Sequence, residues 1–285
     1  MLLATSLSFL VAVAGTPSAL PSPALAKSPE FIVSVQAWTF NRYSAIQAVR
    51  LASQAGAKAM EFFPGQEVGA EIPGVRLGPD MSDEQTAKFK AILDANGVRA
   101  VAYGVTGIDK DEAKARKLFR WAKSLGIGII NTESVDALDT MEKMVKEFDM
   151  KVGFHNHPKN SDPNYKVWDP NYVLSIVKNR DKRIGSCADT GHWVRSGIKP
   201  VDALKILRGR VVSSHLKDLN VFAPGGHDVP YGTGVSDVVA ILSEYTNVGM
   251  NGSVSVEYEH DTPNLQVEVG QCLGFMNAFV KLHSK

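Results

Sequence analysis

Short apolar runs alternate along this chain with longer stretches whose apolar residues recur at three- and four-residue spacing. The runs predict strands at Phe31 to Ala37, Ala57 to Phe62, Val98 to Tyr103, Ile127 to Thr132, Lys151 to Phe154, Arg183 to Ala188, Val211 to His215 and Ser253 to Tyr258. The stretches between them predict helices at Ser44 to Gln54, Asp83 to Ala95, Lys110 to Ser124, Met141 to Phe148, Pro170 to Val177, Val201 to Leu207, Ser236 to Thr246 and Leu265 to Lys281. Ser82 before Asp83-Glu84-Gln85 reads as a capping box, and Asn96-Gly97 and Gly126 read as helix stops. Eight strand–helix units joined by right-handed crossovers close into a (β/α)8 TIM barrel, a single α/β domain.

Within strands, alternate residues share a face, so Gly185, Cys187 and Asp189 line up, as do Val211, Ser213, His215 and Lys217, and Ser255 with Glu257. Small residues fall low and polar ones high, as a filled barrel floor beneath an open rim requires. From Ile129 onward, five successive apolar runs each end in a polar cluster: Asn131-Thr132-Glu133, His155-Asn156-His157, Asp189-Thr190-Gly191-His192, His215-Leu216-Lys217-Asp218 and Glu257-Tyr258-Glu259. In a parallel barrel these same-side ends meet. The long irregular connections Pro64 to Met81, Pro158 to Trp168 and Leu219 to Gly234 all follow strands and are candidates for the mouth and lid.

Composition narrows the partners. At 44% hydrophobic residues the chain can bury a large core, and a net charge of +1 without a basic stripe argues against nucleic acid or an anionic membrane and for a small molecule. Residues 1–26 carry no charged side chain and an apolar stretch, and they end Ala24-Leu25-Ala26 before Lys27. This reads as a secretory signal cleaved after Ala26, too short in its apolar run to span a bilayer, leaving residues 27–285 as the barrel in the periplasm or outside the cell. Cys187 and Cys272, set apart by the predicted topology, read as free buried thiols.

Glu133, Asp189, His215 and Glu257 together make three carboxylates and one imidazole. Such a set suits one divalent ion with open positions, Mn²⁺, Co²⁺ or Mg²⁺, with Zn²⁺ also accommodated, although each acid taken singly is equally a helix cap. His155 and His157 share a face and are either loop-holding residues or ligands for a sugar hydroxyl. Lys217 either stabilises an oxyanion or pairs with an acid. Glu61 reaches a sugar or caps a helix; Gln36, Trp38 and Trp193 either form a wall for a sugar ring or pack in the interior, with packing favoured for Trp193. Asp218 faces the other way and is structural, and Gly232 to Asp237 lacks phosphate-loop spacing and reads as a turn.

The D-x-G-H element at Asp189 to His192, the H-x-K-D element at His215 to Asp218, Val256 to Glu259, and Phe154 to His157 upstream together resemble the sugar phosphate isomerase/epimerase family of xylose-isomerase-like TIM barrels, over nearly all of the chain after residue 26. That resemblance implies metal ligation by Glu133, Asp189, His215 and Glu257 and contact of His192 with substrate oxygens. It also implies that Glu133 and Glu257 flank a keto-sugar and shuttle a proton through an enediolate. Beside that, the residues themselves offer His192, His155 and Lys217 as candidates to assist and His157, Glu61, Gln36 and Trp38 as candidates to bind substrate. The expected enzyme is a metal-dependent sugar isomerase or epimerase. The same enolisation followed by β-elimination would make it an exported carbon–oxygen lyase of 3-keto-glycosides, and a barrel kept only for sugar binding is the non-catalytic alternative. Abasic-site endonucleases share the barrel, but they use extra early histidines and a basic groove, and here no His precedes His155. Pairing of copies through the outer helices stays open.

Overall fold

The computed structural model describes residues 27–284. The signal-peptide reading falls on residues 1–26 and lies outside them. Among the described residues no helix is long and apolar enough to cross a membrane.

Eight parallel strands close the barrel: β1 (Ile32–Gln36), β2 (Ala59–Phe62), β5 (Arg99–Tyr103), β6 (Ile129–Thr132), β7 (Lys151–His155), β8 (Ile184–Asp189), β9 (Val211–Leu216) and β10 (Ser253–Val256), with β1 paired to β10. Each lies on one of the predicted runs. Helices α1 (Ala45–Gln54), α2 (Asp83–Ala95), α3 (Glu112–Ser124), α4 (Leu138–Phe148), α5 (Pro170–Val177), α7 (Pro200–Ile206), α8 (Val238–Val248) and α9 (Leu265–His283) follow the helical stretches. The capping box at Ser82 and Gln85 is formed, and Gly97 and Gly126 take the left-handed conformations (φ 64 and 84) that end their helices. The main core lies between strands and helices, where Phe62 meets Phe89 and Tyr103 meets Trp121 edge to face. Both cysteines are buried and free.

Three local features differ from the sequence expectation. The Pro64 to Met81 connection is not irregular: it folds an antiparallel hairpin, β3 (Glu67–Gly69) with β4 (Ile72–Arg76). Its strands are too short to show an alternation. A six-residue helix, α6 (Thr190–Arg195), leaves β8 directly, capped by Asp189, whose side chain accepts from the His192 backbone N–H at 2.7 Å. Finally, α8 starts two residues late because Asp237 caps it from a left-handed conformation.

Asp218 explains the last letter of H-x-K-D. Its carboxylate accepts N–H bonds from Gly232 and Gly234 through Oδ2 and from Ser236 through Oδ1, at 2.9 to 3.0 Å. It thereby gathers the loop that returns to α8, the structural role expected of it.

Candidate active site

The polar strand ends converge as the barrel requires, and they do so above a hydrogen-bonded layer. Glu61 of β2, fully buried, accepts from Asn131 Nδ2 at 2.7 Å and lies 3.0 Å from His215 Nε2 through Oε1, and accepts from Ser255 Oγ at 2.9 Å through Oε2. Ser213 donates to Asn131 Oδ1, and Ser255 meets Ser34. The expected contact of Glu61 with sugar is therefore replaced by another role: both of its oxygens are engaged beneath the rim, where it fixes the ring of His215. With Nε2 turned to Glu61, His215 Nδ1 faces up, 3.2 Å from Glu257 Oε2 and 3.9 Å from Asp189 Oδ2, yet it has no hydrogen-bond partner.

Lys217, the next inward position after His215, is completely buried. Its ammonium sits 2.5 Å from Asp189 Oδ2, contacts Glu257 Oε2 and lies 3.8 Å from Glu259. Gly191 makes the room: a Cβ there would fall 2.6 Å from Lys217 Cδ. Burial opposes the charge of all three partners, but the opposite charges prevail. The Asp189 carboxyl, beside Lys217 and His155, and the Glu257 carboxyl, beside His215 and Lys217, lie well below their ordinary range, and Lys217 lies well above its own.

Glu133 stands apart from this group. It lies one residue beyond β6 and leads into a short turn, so its Oε1 faces the end of β7 and the loop after it: His157 Nδ1 at 2.6 Å, His155 Nδ1 at 3.1 Å and the Tyr165 hydroxyl at 3.2 Å. Partial burial raises the Glu133 carboxyl, and the two histidines outweigh that and hold it at about 2. The predicted foursome is thus corrected. Asp189, His215 and Glu257 come together with His155, their donor atoms all within 4.8 Å of one another, while Glu133 forms an adjoining group with His155 and His157. His155 belongs to both.

His192 completes the set. Burial holds its imidazole well below its ordinary value and hence neutral, and Arg195 Nη1 lies 3.0 Å from Nδ1. Because an arginine only donates, Nδ1 accepts and the ring proton sits on Nε2, aimed inward 3.6 Å from Asp189 Oδ2. Arg195 is itself held by Glu259 at 2.8 Å and by Asp228 at 3.6 Å. A cavity of about 340 Å³ opens over these groups, lined on one side by His155, His157, His192, Glu257 and Glu259 and on the other by Gln36, Trp38, Phe63, Pro64, Gly104 and Val105. Gln36 and Trp38 are where the sequence reading put them, although Gln36 also donates to the Gly104 carbonyl. Glu133 does not line this cavity. Trp193 is buried, in the packing role favoured for it.

Sequence reasoning missed Arg195, Tyr165, Glu259 and Phe63. Glu259 had a signal, sharing the inward face with Glu257 two residues earlier. Arg195 depends on α6, which is too short to announce itself.

Residues 49–277 match the family described as the xylose isomerase-like TIM barrel. The chain belongs to this family. No curated protein matches it by sequence. Among solved structures, an uncharacterized protein from Parabacteroides distasonis is 31% identical with a TM-score of 0.71, the match covering 87% of this chain and 99% of that one. A D-tagatose 3-epimerase-like protein is 15% identical (TM-score 0.66, 89% and 98% covered), and the IolI protein with a bound zinc atom is 16% identical (TM-score 0.66, 89% and 99% covered). The last two are likenesses of fold.

The xylose isomerase-like barrel invites a metal, and the residues here fit one. His215 Nδ1 is a buried nitrogen without a hydrogen-bond partner, its ring fixed in direction by Glu61, and it shares its surroundings with one oxygen each of Asp189 and Glu257 and a nitrogen of His155. Two carboxylates and two imidazoles make a mixed oxygen and nitrogen set suited to Mn²⁺, Co²⁺, Fe²⁺ or Zn²⁺.

Proposed function

We propose that this chain is a sugar isomerase or epimerase that moves a proton beside the ketone of a keto-sugar. The observation that carries this reading is the convergence, in one cavity, of the Glu257 carboxylate and three histidines above the Asp189–His215 pair. Asp189, His215, Glu257 and His155 would hold a divalent cation, which when bound supplies polarisation of the substrate carbonyl and charge balance for an enediolate.

The remaining steps belong to side chains. Glu257, kept ionised by its neighbours, takes the C–H proton; the C–H electron pair becomes the C=C bond and the carbonyl π pair moves to oxygen. His192 offers its Nε2–H to a substrate oxygen. His157, half exposed and backed by Glu133, returns a proton from the β7 end of the same ionisable wall, three strands round the barrel from Glu257 after β10. In place of the expected direct flanking by Glu133, that acid works through His157. Return to the same carbon from the opposite face gives an epimer, and return to the former carbonyl carbon shifts the carbonyl to its neighbour, giving the aldose where that neighbour is C1. Export is part of the proposal: it is supported by the uncharged leader and checked by N-terminal sequencing of the secreted chain, which should begin at Lys27.

The test is incubation of the full chain with free ketoses, inososes and 3-keto-glycosides in D₂O with added Mn²⁺ or Co²⁺. The expected result is deuterium at the carbon beside the ketone in at least one of them. Binding without deuterium uptake in any would replace the enzyme with a sugar-binding barrel, and release of an aglycone would replace it with a lyase.

A further inference from the structure

A second cavity, of about 550 Å³, lies between the loop after β1 and the β3–β4 hairpin, and it shares Phe63 with the reaction cavity. Tyr43, a large aromatic residue left 44% exposed, lines it. So does Gln66, which is only 4% exposed: its amide donates to the Tyr43 carbonyl at 3.1 Å, while its Oε1 is a buried acceptor with no partner. Arg76 reaches the wall with one guanidinium nitrogen on the Gly65 carbonyl and, among the described residues, no ion pair to an acid. The charge of the cavity is nearly balanced. Arg50 is paired to Glu71 and Arg42 to Asp261, and Glu67 also lines the space.

This is not the chemistry of an anion cradle. Planar donors (Arg76), an acid (Glu67) and aromatic faces (Tyr43, Phe63) match a neutral ring with vicinal hydroxyls on its edge and C–H groups on its face. We propose that this cavity is a subsite for a second sugar ring, so that the substrate is a glycoside. One ring reacts over Asp189, His215 and Glu257, and the other lies across Phe63 against Tyr43, Gln66 and Arg76. The inference rests on the keto-sugar reading for its first ring but has its own readout, because binding of the second ring needs no chemistry.

The experiment compares glucose with trehalose, cellobiose and lactose in calorimetric titrations of the full chain, then repeats them with Tyr43→Ala and Arg76→Ala. Glucuronate and inorganic phosphate serve as anionic competitors. At least one disaccharide should bind about 10-fold more tightly than glucose, a difference of one or two net hydrogen bonds, and each variant should reduce that advantage. Deuterium exchange into a free ketose should stay unchanged in both variants. Equal affinity for disaccharides and glucose, or undiminished disaccharide binding in both variants, overturns the subsite. Displacement of the disaccharide by phosphate or glucuronate at similar concentration overturns the neutral-sugar assignment. Exchange in a free ketose without any disaccharide preference sinks the subsite alone. Conversely, a Tyr43-dependent disaccharide preference with no exchange in any keto-sugar sinks the proposed reaction and leaves the subsite standing.

Discussion

Strands β1, β2 and β5 and the loops after them give the reaction cavity Gln36, Trp38, Phe63, Pro64, Gly104 and Val105, whereas β7, β8 and β10 and theirs give it His155, His157, His192, Glu257 and Glu259. One wall is neutral and partly aromatic; the other is ionisable throughout. The early half does own a buried acid, Glu61, but spends it below the rim on His215, Asn131 and Ser255. The difference teaches how the barrel divides its work. Both kinds of group sit on or just past strand ends, but those that must hold charge out of water come from the late strands and those that shape the substrate's surroundings from the early ones.

The comparison breaks most visibly at Glu257. Glu257→Gln should lower deuterium exchange by about 10² to 10⁴-fold while sugar binding is partly kept. An exchange rate like that of the unaltered chain would take Glu257 out of the reaction and leave the ionisable wall without its base.

Next comes Lys217, the counter-charge of that wall. Lys217→Met leaves Asp189 and Glu257 buried without their ammonium and should cost about 3 to 5 kcal/mol in chemical denaturation with chelator present. Added Mn²⁺ should restore much of that loss, since it meets the same oxygens. A variant as stable as the parent without metal would show that the pairing carries little.

Asp228 sharpens the comparison through pH. Burial pushes its carboxyl up to about 7, against an ordinary value of 3.8 that the unfolded chain keeps. The folded state therefore binds a proton the unfolded state has lost, so this group's contribution is most favourable at low pH and declines as pH rises from about 4 to about 7. Asp228→Asn should remove that decline and be more stable than the parent at pH 8, by at most ~4 kcal/mol at about 1.4 kcal/mol per unit, with the gap closing toward pH 4. A gap that widens toward pH 4 would reverse the assignment.

The smallest effect is expected on the neutral wall. Trp38→Ala, at a side chain 43% exposed and edge-on to Phe63, should raise KM about 3- to 10-fold and leave kcat nearly unchanged. A loss confined to kcat would mean that Trp38 acts on the reaction itself.

The same division decided what could be read from the sequence. The eight strands were legible because each apolar run is bounded by polar text, and Asp189, His215, Lys217 and Glu257 were legible because period-two alternation points them inward. Glu133 was legible as a functional residue but not in its partners. Its direction depends on how the chain turns after Thr132, which no periodicity records. Glu61 was misjudged in depth: it lies inside β2, whereas Glu257 lies just past the end of β10. The hairpin, α6 and Arg195 were invisible because elements of three to six residues carry too few positions to show a period.

Central to the account is one cation shared by Asp189, His215, Glu257 and His155. Calorimetric titration of Mn²⁺ into the chelator-treated full chain tests it directly, with Asp189→Asn as the control. The expected result is one ion per chain, bound more tightly as pH rises because protons leave the ligands, and weakened sharply in the variant. No binding, or binding that the variant leaves intact, would contradict the site.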